Sequence, residues 1–465
     1  MATPILSNSF VIEPEETPRI ETAHRRIATA LPAPDYVDRL ADAARVFPQV
    51  NCYQPPVIWD RASGYQVFDA AGNCWIDFSS TAVMTNTGHG HPAIRKAIAE
   101  HAQAGLFAQF SFASEVRIRL AEELLKLAPE HCDKVYFWTV GSEAIECALR
   151  LARVGGMEKN ANKYRILTFT GDYHGWTLGA HQLSGDSAAK PWLATADSAI
   201  HHLPFPRQDP RSTDLTDREW SEFFDRSIEQ LADQGVVADE VAGVVVETLQ
   251  GWCATPLPMA YLKRLRAWAD EHEVLLIFDE IQTGFGRTGK WFGHEHYGIK
   301  ADLICIAKGV TSTLPLAAVL GPAEILDVLH PGEVTTTHAA HPLSCAAALA
   351  NLKILRDENL TQEASRKGAI AEDALSDLQS RFPNHITQAT GYGLLRAIHV
   401  QDPTTGKPSR ELARDWTWAA VKHGVMLFQV NQPTVKVCPP LVIPDDAITE
   451  GIVALGDALQ SILDA

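Results

Sequence analysis

Residues 274–308 read VLLIFDEIQTGFGRTGKWFGHEHYGIKADLICIAK. Two short apolar runs in this segment, Val274–Phe278 and Leu303–Ile306, have the length and composition of buried strands. The first run is followed directly by Asp279, and the second is followed after one alanine by Lys308. The segment therefore predicts two buried strands that each carry an ionisable side chain at the carboxyl end.

Residues from about 90 to 345 alternate helical patterns with short apolar runs of the same kind. The further predicted strands and the predicted helices of this region are Val135–Trp138, Arg165–Phe169, Ala242–Val246, Ala93–Ala104, Ser114–Leu127 and Tyr261–Glu271. Strands that are joined by helices form right-handed crossovers in a mainly parallel sheet. Before this region, Tyr65–Phe78 predicts a β-hairpin. After it, a helix over Ser344–Arg356 and another that ends at Phe382 begin a separate α+β unit.

Three of the predicted strands end in ionisable residues: Glu247, the pair Asp279 and Glu280, and Lys308. One charged strand end marks only the point where a strand meets solvent. Ligands of parallel α/β sheets bind beyond the carboxyl ends of the strands. Two acidic strand ends and a lysine therefore indicate a shared site.

A fourth element, Phe137–Ala144, passes from a strand through Gly141 and Ser142 into a predicted helix that runs to about Arg153. Ser142 is a favourable N-cap residue, glycine allows close approach of a ligand to the backbone, and a helix N-terminus favours anions such as phosphate. A serine N-cap that is purely structural is the alternative.

Two sequence patterns suggest a dinucleotide or a metal ion as the ligand, but the residues around each pattern do not support it. Gly284–Gly289 matches the G-x-G-x-x-G dinucleotide fingerprint, but Lys290–Gly298 has no helical period, so no helix opens at the glycines. The close histidine pairs His89/His91 and His294/His296 lack a third ligand in register, which favours structural loop histidines over a metal site.

Composition and charge exclude several classes of protein. The chain has 465 residues, of which 46% are apolar, so it is globular and long enough for two or more domains. Its net charge of −17 disfavours nucleic acid and anionic membranes as partners. No apolar run approaches the roughly 18 residues that cross a bilayer. The start of the chain lacks a signal-peptide pattern and the eight cysteines are scattered, so we expect a cytoplasmic protein.

An amine, a carboxylate and a phosphate-binding helix terminus around one sheet suit pyridoxal phosphate. From about Tyr53 onward the sequence resembles the class III, fold-type I pyridoxal phosphate aminotransferases, the group that includes ornithine and 4-aminobutyrate aminotransferases. The most specific match is Phe278–Gly289 followed by Lys308. The supporting matches are Gly88–Pro92, Gly141–Ala144, Tyr173–Gly175, and Thr337 with His341–Leu343.

The resemblance implies an α/β fold with a mainly parallel seven-stranded sheet flanked by helices, and a smaller α+β domain. We expect residues 1–85 to form an N-terminal arm and part of the small domain. Residues 86–345 would form the large cofactor-binding domain, and residues 346–465 the C-terminal small domain.

The resemblance also implies roles for single residues. Lys308 would form the Schiff base with the cofactor and carry the proton, and Asp279 would keep the pyridine nitrogen protonated. The other expected cofactor-binding residues are Gly141 and Ser142 on the phosphate, Thr337 on the phosphate from a second subunit, Gln282 on the ring hydroxyl, Tyr173 on the ring face, His174, and Glu247 near the ring. A site shared in this way implies a homodimer, with a tetramer as the alternative.

Two departures from the family pattern concern the substrate pocket, where we expect Tyr53, Trp252 and Lys436 to contact the substrate. Many relatives carry an acidic residue at position 252 that pairs with an arginine at position 436. Lysine cannot make the planar two-pronged contact of arginine with a carboxylate, but it binds phosphate well. A lysine at this place is also found in the phosphoethanolamine phospho-lyase branch of the family.

The leading hypothesis is a transaminase that moves an amino group from a primary amine or ω-amino acid to a 2-oxo acid. The alternative is a pyridoxal phosphate lyase that eliminates phosphate or ammonia from a small amino-phosphate or amino-phosphonate. A non-catalytic binding protein is a third hypothesis, and the complete set of Lys308, Asp279 and Gln282 argues against it. No metal, nucleic acid or membrane partner is expected.

Overall fold

The computed structural model describes residues 10, 12–51, 53–207 and 215–464. The chain divides into two compact units. One unit contains the described residues up to His91 together with those from Glu363 onward, and the other is Pro92–Gln362.

The first segment of the two-segment unit contains the predicted hairpin. Its elements are β1 (Ile20–Glu21), β2 (Arg26–Ile27), α1 (Val37–Val46), β3 (Arg61–Ser63), β4 (Gln66–Phe68), β5 (Cys74–Asp77) and the short turn α2 (Ser80–Val83). Strands β4 and β5 pair antiparallel with Phe68 opposite Cys74. Asp69 closes the turn between them, because its carboxylate accepts hydrogen bonds from both the backbone and the side chain of Asn73. The hairpin prediction is confirmed.

The unit Pro92–Gln362 contains the large sheet. Its elements are α3 (Pro92–Gln103), α4 (Glu115–Leu125), β6 (Lys134–Trp138), α5 (Gly141–Lys159), β7 (Arg165–Phe169), α6 (Leu178–Leu183), β8 (Ile200–Leu203), α7 (Asp217–Asp233), β9 (Val241–Val246), β10 (Leu249–Gln250), β11 (Thr255–Pro256), α8 (Met259–Glu271), β12 (Leu275–Asp279), β13 (Leu303–Ile306), β14 (Ala317–Gly321), α9 (Ala323–Leu326) and α10 (Pro342–Asp357).

Seven of these strands form one sheet in the order β6-β14-β13-β12-β9-β7-β8. Only β14 runs against the others, because it pairs antiparallel with both β13 and β6 while the remaining pairings are parallel. Helix α5 buries one face against this sheet, including Ile145, Ala148 and Leu151. Each buried Leu or Ile stabilises the packed state by about 1.5–3 kcal/mol. The predicted α/β class with a mainly parallel seven-stranded sheet is confirmed.

The second segment of the other unit combines helices and strands, and the helix expected over Ser344–Arg356 belongs to the unit Pro92–Gln362 instead. The elements of this second segment are α11 (Leu360–Arg381), β15 (Ile386–Tyr392), β16 (Leu395–Val400), α12 (Arg410–Lys422), β17 (Val425–Met426), β18 (Thr434–Val437) and α13 (Asp445–Leu463). Strands β15, β16 and β18 form an antiparallel sheet. Strand β17 instead pairs with β5, so the two segments of this unit share a sheet. Among the described residues, no helix has both the length and the apolar character that a membrane span requires.

Candidate active site

The three strands that end in ionisable residues are neighbours in the sheet. Strand β12 lies between β9 and β13 and pairs parallel with both, so their carboxyl ends meet at one edge. Glu247 follows β9, Asp279 is the last residue of β12, and Lys308 stands two residues after β13. Lys308 has a φ of 45°, which is unusual for a residue with a side chain and is typical of functional positions.

Asp279 is buried, with 3% of the residue exposed, and its carboxylate is held from two sides. One oxygen accepts a hydrogen bond of 3.0 Å from the backbone N–H of Ile281. The other oxygen lies 2.8 Å from Nδ1 of His174, which is in the loop after β7. These two contacts fix the orientation of the buried carboxylate.

Two further buried acids, Glu247 and Asp172, lie near Asp279 and His174. The Glu247 carboxylate accepts hydrogen bonds from the backbone N–H of Tyr173 at 2.9 Å and of Gly251 at 3.0 Å. Burial, and then the charges of Asp172 and Asp279, raise the pKa of Glu247 well above its usual range. Burial also raises the pKa of Asp172 to about 6, although His174 acts in the opposite direction.

Two glycines bring backbone segments of the site into contact. A Cβ on Gly175, which has a φ of 129°, would collide with the side chain of Ser142. A Cβ on Gly251 would collide with the Gln282 side-chain amide. The predicted site residues Ser142, His174, Glu247, Asp279 and Gln282 therefore belong to one contiguous cluster in the unit Pro92–Gln362.

The predicted phosphate site is the N-terminus of α5. This helix begins at Gly141, with Val140 as the N-cap, so the prediction of Ser142 as N-cap is wrong. The side chain of Glu143 takes over the capping role, because its carboxylate accepts hydrogen bonds from Thr139 N and Val140 N. A Cβ on Gly141 would lie 2.8 Å from Cδ1 of Ile281, so glycine allows the helix to start against the end of β12.

An aromatic wall lies beside the acid cluster. The half-buried ring of Tyr173 contacts Trp252 at a centroid distance of 4.7 Å and Trp176 at 5.9 Å. Trp176 is 62% exposed and was not among the predicted site residues, because a tryptophan in a loop carries no motif of its own. The rings of Tyr173, Trp176 and Trp252 therefore form one apolar surface, of which the predicted apolar residue at position 252 is a part.

Glu280 turns away from this cluster. It is fully buried, and its carboxylate accepts hydrogen bonds from Gly293 N, His294 N and the Thr283 hydroxyl. Its role is to hold the loop after β12, and only Asp279 of the acidic pair belongs to the site. The glycine run Gly284–Gly289 lies within turns, so the absence of the helix that a dinucleotide fingerprint requires is confirmed.

The two suspected metal-binding histidine pairs have structural partners. His294 Nδ1 lies 3.0 Å from the Glu280 carboxylate, and His89 Nε2 lies 2.7 Å from the Asp77 carboxylate. Among the described residues, no group of three or more His, Cys, Asp or Glu side chains could hold a metal ion.

Three predicted site residues are on other segments of the chain. Thr337 is exposed in the loop before α10. Tyr53 and Lys436 belong to the other unit, where Tyr53 is 37% exposed and Lys436 is buried. Lys436 is in β18 opposite Ala397, with its ammonium 5.6 Å from the centroid of the Phe428 ring.

The donor set of the cluster fits pyridoxal phosphate. A buried, oriented carboxylate suits a protonated pyridine nitrogen, and a lysine at the adjacent strand end suits the aldehyde. Beside the start of α5, the Thr139 hydroxyl is buried and has no hydrogen-bond partner among the described residues, which suits an anionic group at this helix N-terminus. The fold and the site together define a pyridoxal phosphate enzyme of fold type I.

Comparisons with known proteins agree. The sequence model of the family Aminotransferase class-III matches residues 49–459. A probable 4-aminobutyrate aminotransferase of Bacillus subtilis is 31% identical over 410 residues, which are 86% of this chain and 92% of that protein. An alanine/serine racemase of Pyrococcus horikoshii is 30% identical over 88% of this chain and 86% of its own length.

Among solved structures, an amine transaminase from an uncultivated Pseudomonas species in its pyridoxal phosphate-bound form superposes with a TM-score of 0.81. Its sequence is 28% identical, and the alignment covers 87% of this chain and 94% of the transaminase. The chain belongs to the class III aminotransferase family, and it is a pyridoxal phosphate-dependent transaminase.

Proposed function

We propose that this transaminase moves an amino group from a primary amine or ω-amino acid to a 2-oxo acid, with Lys308 and Asp279 as catalytic residues. The observation that carries the assignment of these two residues is the adjacency of β12 and β13, which delivers both to one edge of the sheet. The similar proteins named for 4-aminobutyrate and for amines support the donor class. An amine-donor screen with pyruvate or 2-oxoglutarate as acceptor tests it.

Bound pyridoxal phosphate supplies an aldehyde that reacts with amines and a ring that takes up the electrons released when a C–H bond breaks. Asp279 would hold a proton on the ring nitrogen, since a carboxylate in a water-excluded site stabilises positive charge strongly. Lys308 would provide the amine that holds the cofactor, and its Nζ would move the proton of the substrate.

The other residues of the cluster would bind the cofactor and orient it. The backbone at Gly141 and Ser142 would hold the phosphate, together with the Thr139 hydroxyl. Gln282 would bond the ring hydroxyl, and Tyr173 would stack on the ring face. These roles are supported by the contiguity of the segments after β6, β7 and β12, which touch at Gly141 and Gly175.

The substrate pocket is proposed to include Tyr53, Trp252 and Lys436. Trp252 contributes an apolar wall against Tyr173 in place of an acid. Lysine at position 436 offers a compact cation that recognises carboxylates less selectively than arginine does. We therefore expect glutamate to be a poor amino donor, and an anionic group of the substrate to contact Lys436.

Replacing Lys436 tests this part of the proposal. On the best anionic substrate from the donor screen, Lys436→Met should raise KM strongly while kcat changes little, because a charge contact in binding is lost. Lys436→Arg should shift the preference toward α-carboxylates, since the guanidinium is bidentate. The control is a neutral amine donor, for which neither variant should change KM. An unchanged KM of Lys436→Met on the anionic substrate would remove Lys436 from the pocket.

A lyase that eliminates phosphate or ammonia is the second candidate. The same two positions favour it, because a lysine without an acid at position 252 suits a phosphate or phosphonate group. Such an enzyme forms product without any 2-oxo acid, and this difference separates the two candidates experimentally.

We also propose a homodimer. The loop 106–112 exposes Phe107, Phe110 and Phe112 by 52%, 49% and 76%, which is unusual for a free surface. Arg117 connects this loop to the segment before α10 by donating hydrogen bonds to carbonyls of residues 109, 110 and 112 and to those of residues 339 and 340, close to Thr337. Sedimentation velocity should give twice the chain mass, and Phe112→Asp should lower it. A wild-type monomer would contradict the proposal.

A cytoplasmic location is proposed from the cysteines. The seven cysteines among the described residues are buried thiols without disulfide bonds, which is typical of a reducing compartment.

A further inference from the structure

A continuous line of polar side chains leads away from Asp279 through the interior of the unit Pro92–Gln362. His174 Nδ1 lies 2.8 Å from Asp279 Oδ2, and His174 Nε2 lies 3.8 Å from Asp172 Oδ2. The other Asp172 oxygen accepts a hydrogen bond of 2.8 Å from the Gln250 amide, and Gln250 in turn accepts one of 2.6 Å from Arg207. The imidazole of His174 is thus placed between two carboxylates.

Asp172 is a buried carboxylate, and desolvating a charge costs several kcal/mol. It is 1% exposed, and its carboxylate accepts hydrogen bonds from the Gln250 side chain and the backbone N–H of Glu247. The two bonds go to different oxygens, and an asparagine could accept only one of them because its Nδ2 is a donor. The aspartate also places negative charge on the far side of His174.

We infer that Asp172 is a positioning residue, which acts through His174 to fix the imidazole that orients Asp279 toward the cofactor. The inference rests on the proposed roles of Asp279 and Lys308. The negative charge of Asp172 lies 3.8 Å from Nε2 and favours the ring orientation in which Nδ1 faces the Asp279 carboxylate. The Thr168 hydroxyl, 3.3 Å from Nε2, is the hydrogen-bond partner of that nitrogen among the described residues, and it carries no charge.

The pH dependence follows from the charge of Asp172. The ionisable groups that face Asp172 are His174 from its own loop, Glu247 from the end of β9, Asp279 from β12 and Tyr261 from α8. Since burial raises the pKa of Asp172 to about 6, its carboxylate is ionised above that pH and neutral below it. Burial raises the pKa values of Glu247 and Tyr261 as well.

The test is Asp172→Asn, which keeps the shape of the side chain and removes its charge and one of its two acceptor oxygens. We expect kcat to fall about 10- to 100-fold with KM within twofold, and binding of pyridoxal phosphate to the apo protein, followed by tryptophan fluorescence, to weaken about tenfold. The kcat of the wild type should fall toward the value of the variant as the pH drops through about 6. The variant should show no such step.

Asp302→Asn is the matched control. Asp302 is an acid at the opposite end of the sheet, where its carboxylate accepts hydrogen bonds from Leu276 N and Arg266. Its loss should lower Tm and leave kcat, cofactor binding and the step near pH 6 unchanged. Asp172→Asn with the kcat, the cofactor affinity and the pH step of the wild type, or with a change in Tm alone, would overturn the inference. A wild type that neither binds the cofactor nor transfers an amino group would instead overturn the proposed function.

Discussion

Lys308→Ala should abolish turnover and covalent attachment of the cofactor together. Lys308 stands at the end of β13, next to the strand that carries Asp279, and we propose its Nζ both as the point of attachment and as the group that moves the proton. Alanine supplies neither function, so no residual route at a useful rate is expected. Borohydride reduction followed by peptide mass spectrometry checks the attachment, and a steady-state assay checks the turnover.

Lys300→Ala is the control for that experiment. Lys300 is exposed and lies just before the other end of the same strand, so its loss should change neither attachment nor rate. If reduction labelled a different lysine of the wild type, or if Lys308→Ala kept normal activity, the assignment of the site would be wrong.

Asp279→Asn should lower kcat at least ~1,000-fold, which corresponds to ~4 kcal/mol of transition-state stabilisation. The neutral amide keeps the shape of the carboxylate but cannot hold a proton on the ring nitrogen of the cofactor. Since Lys308 is intact in this variant, the cofactor should still attach covalently. The measurement combines steady-state kinetics with a cofactor titration of the apo protein.

The result for Asp279 has a direct control in Asp302→Asn, which removes an acid from the opposite end of the sheet. Near-native kcat in Asp279→Asn would show that the acid has another task. Loss of covalent attachment in the same variant would show that Asp279 acts on cofactor binding and would leave its effect on rate unexplained.

Much of the fold follows from local sequence patterns. The strands Arg165–Phe169 and Leu303–Ile306 have the predicted bounds, because their short apolar runs are separated from helices by polar residues. Strand β14 was not predicted, since Ala317 and Ala318 have low strand propensity. This strand is nevertheless fully buried between β6 and β13, so tertiary packing overrides the local preference of its residues.

The site residues that stand at the ends of strands could be predicted from the sequence. Glu247, Asp279 and Lys308 could be placed together because parallel neighbouring strands end at one edge. Asp172 could not be found in this way, since an aspartate that follows a glycine is common in turns and its burial depends on packing with Gln250. The structural role of Glu280 could not be predicted either, because the sequence does not show that its side chain bonds the loop after β12 while that of Asp279 belongs to the site.

The capping of α5 shows a further limit of local rules. Ser142 is a favourable N-cap by type, yet the helix starts one residue earlier, and Glu143 caps it through Thr139 and Val140. The start is set by the contact of Gly141 with Ile281, which is remote in sequence. Long-range contacts of this kind cannot be read from a capping pattern.

The most direct test of the transaminase assignment is a single half-reaction. The purified protein, loaded with pyridoxal phosphate, is mixed with the best amine donor in the absence of any 2-oxo acid, and the carbonyl product is counted against the cofactor. We expect one equivalent of product per active site and conversion of the cofactor to its amine form, followed by continuous turnover once a 2-oxo acid is added. Continuous release of product without an acceptor, or inversion of a chiral amine without transfer of its amino group, would contradict the assignment.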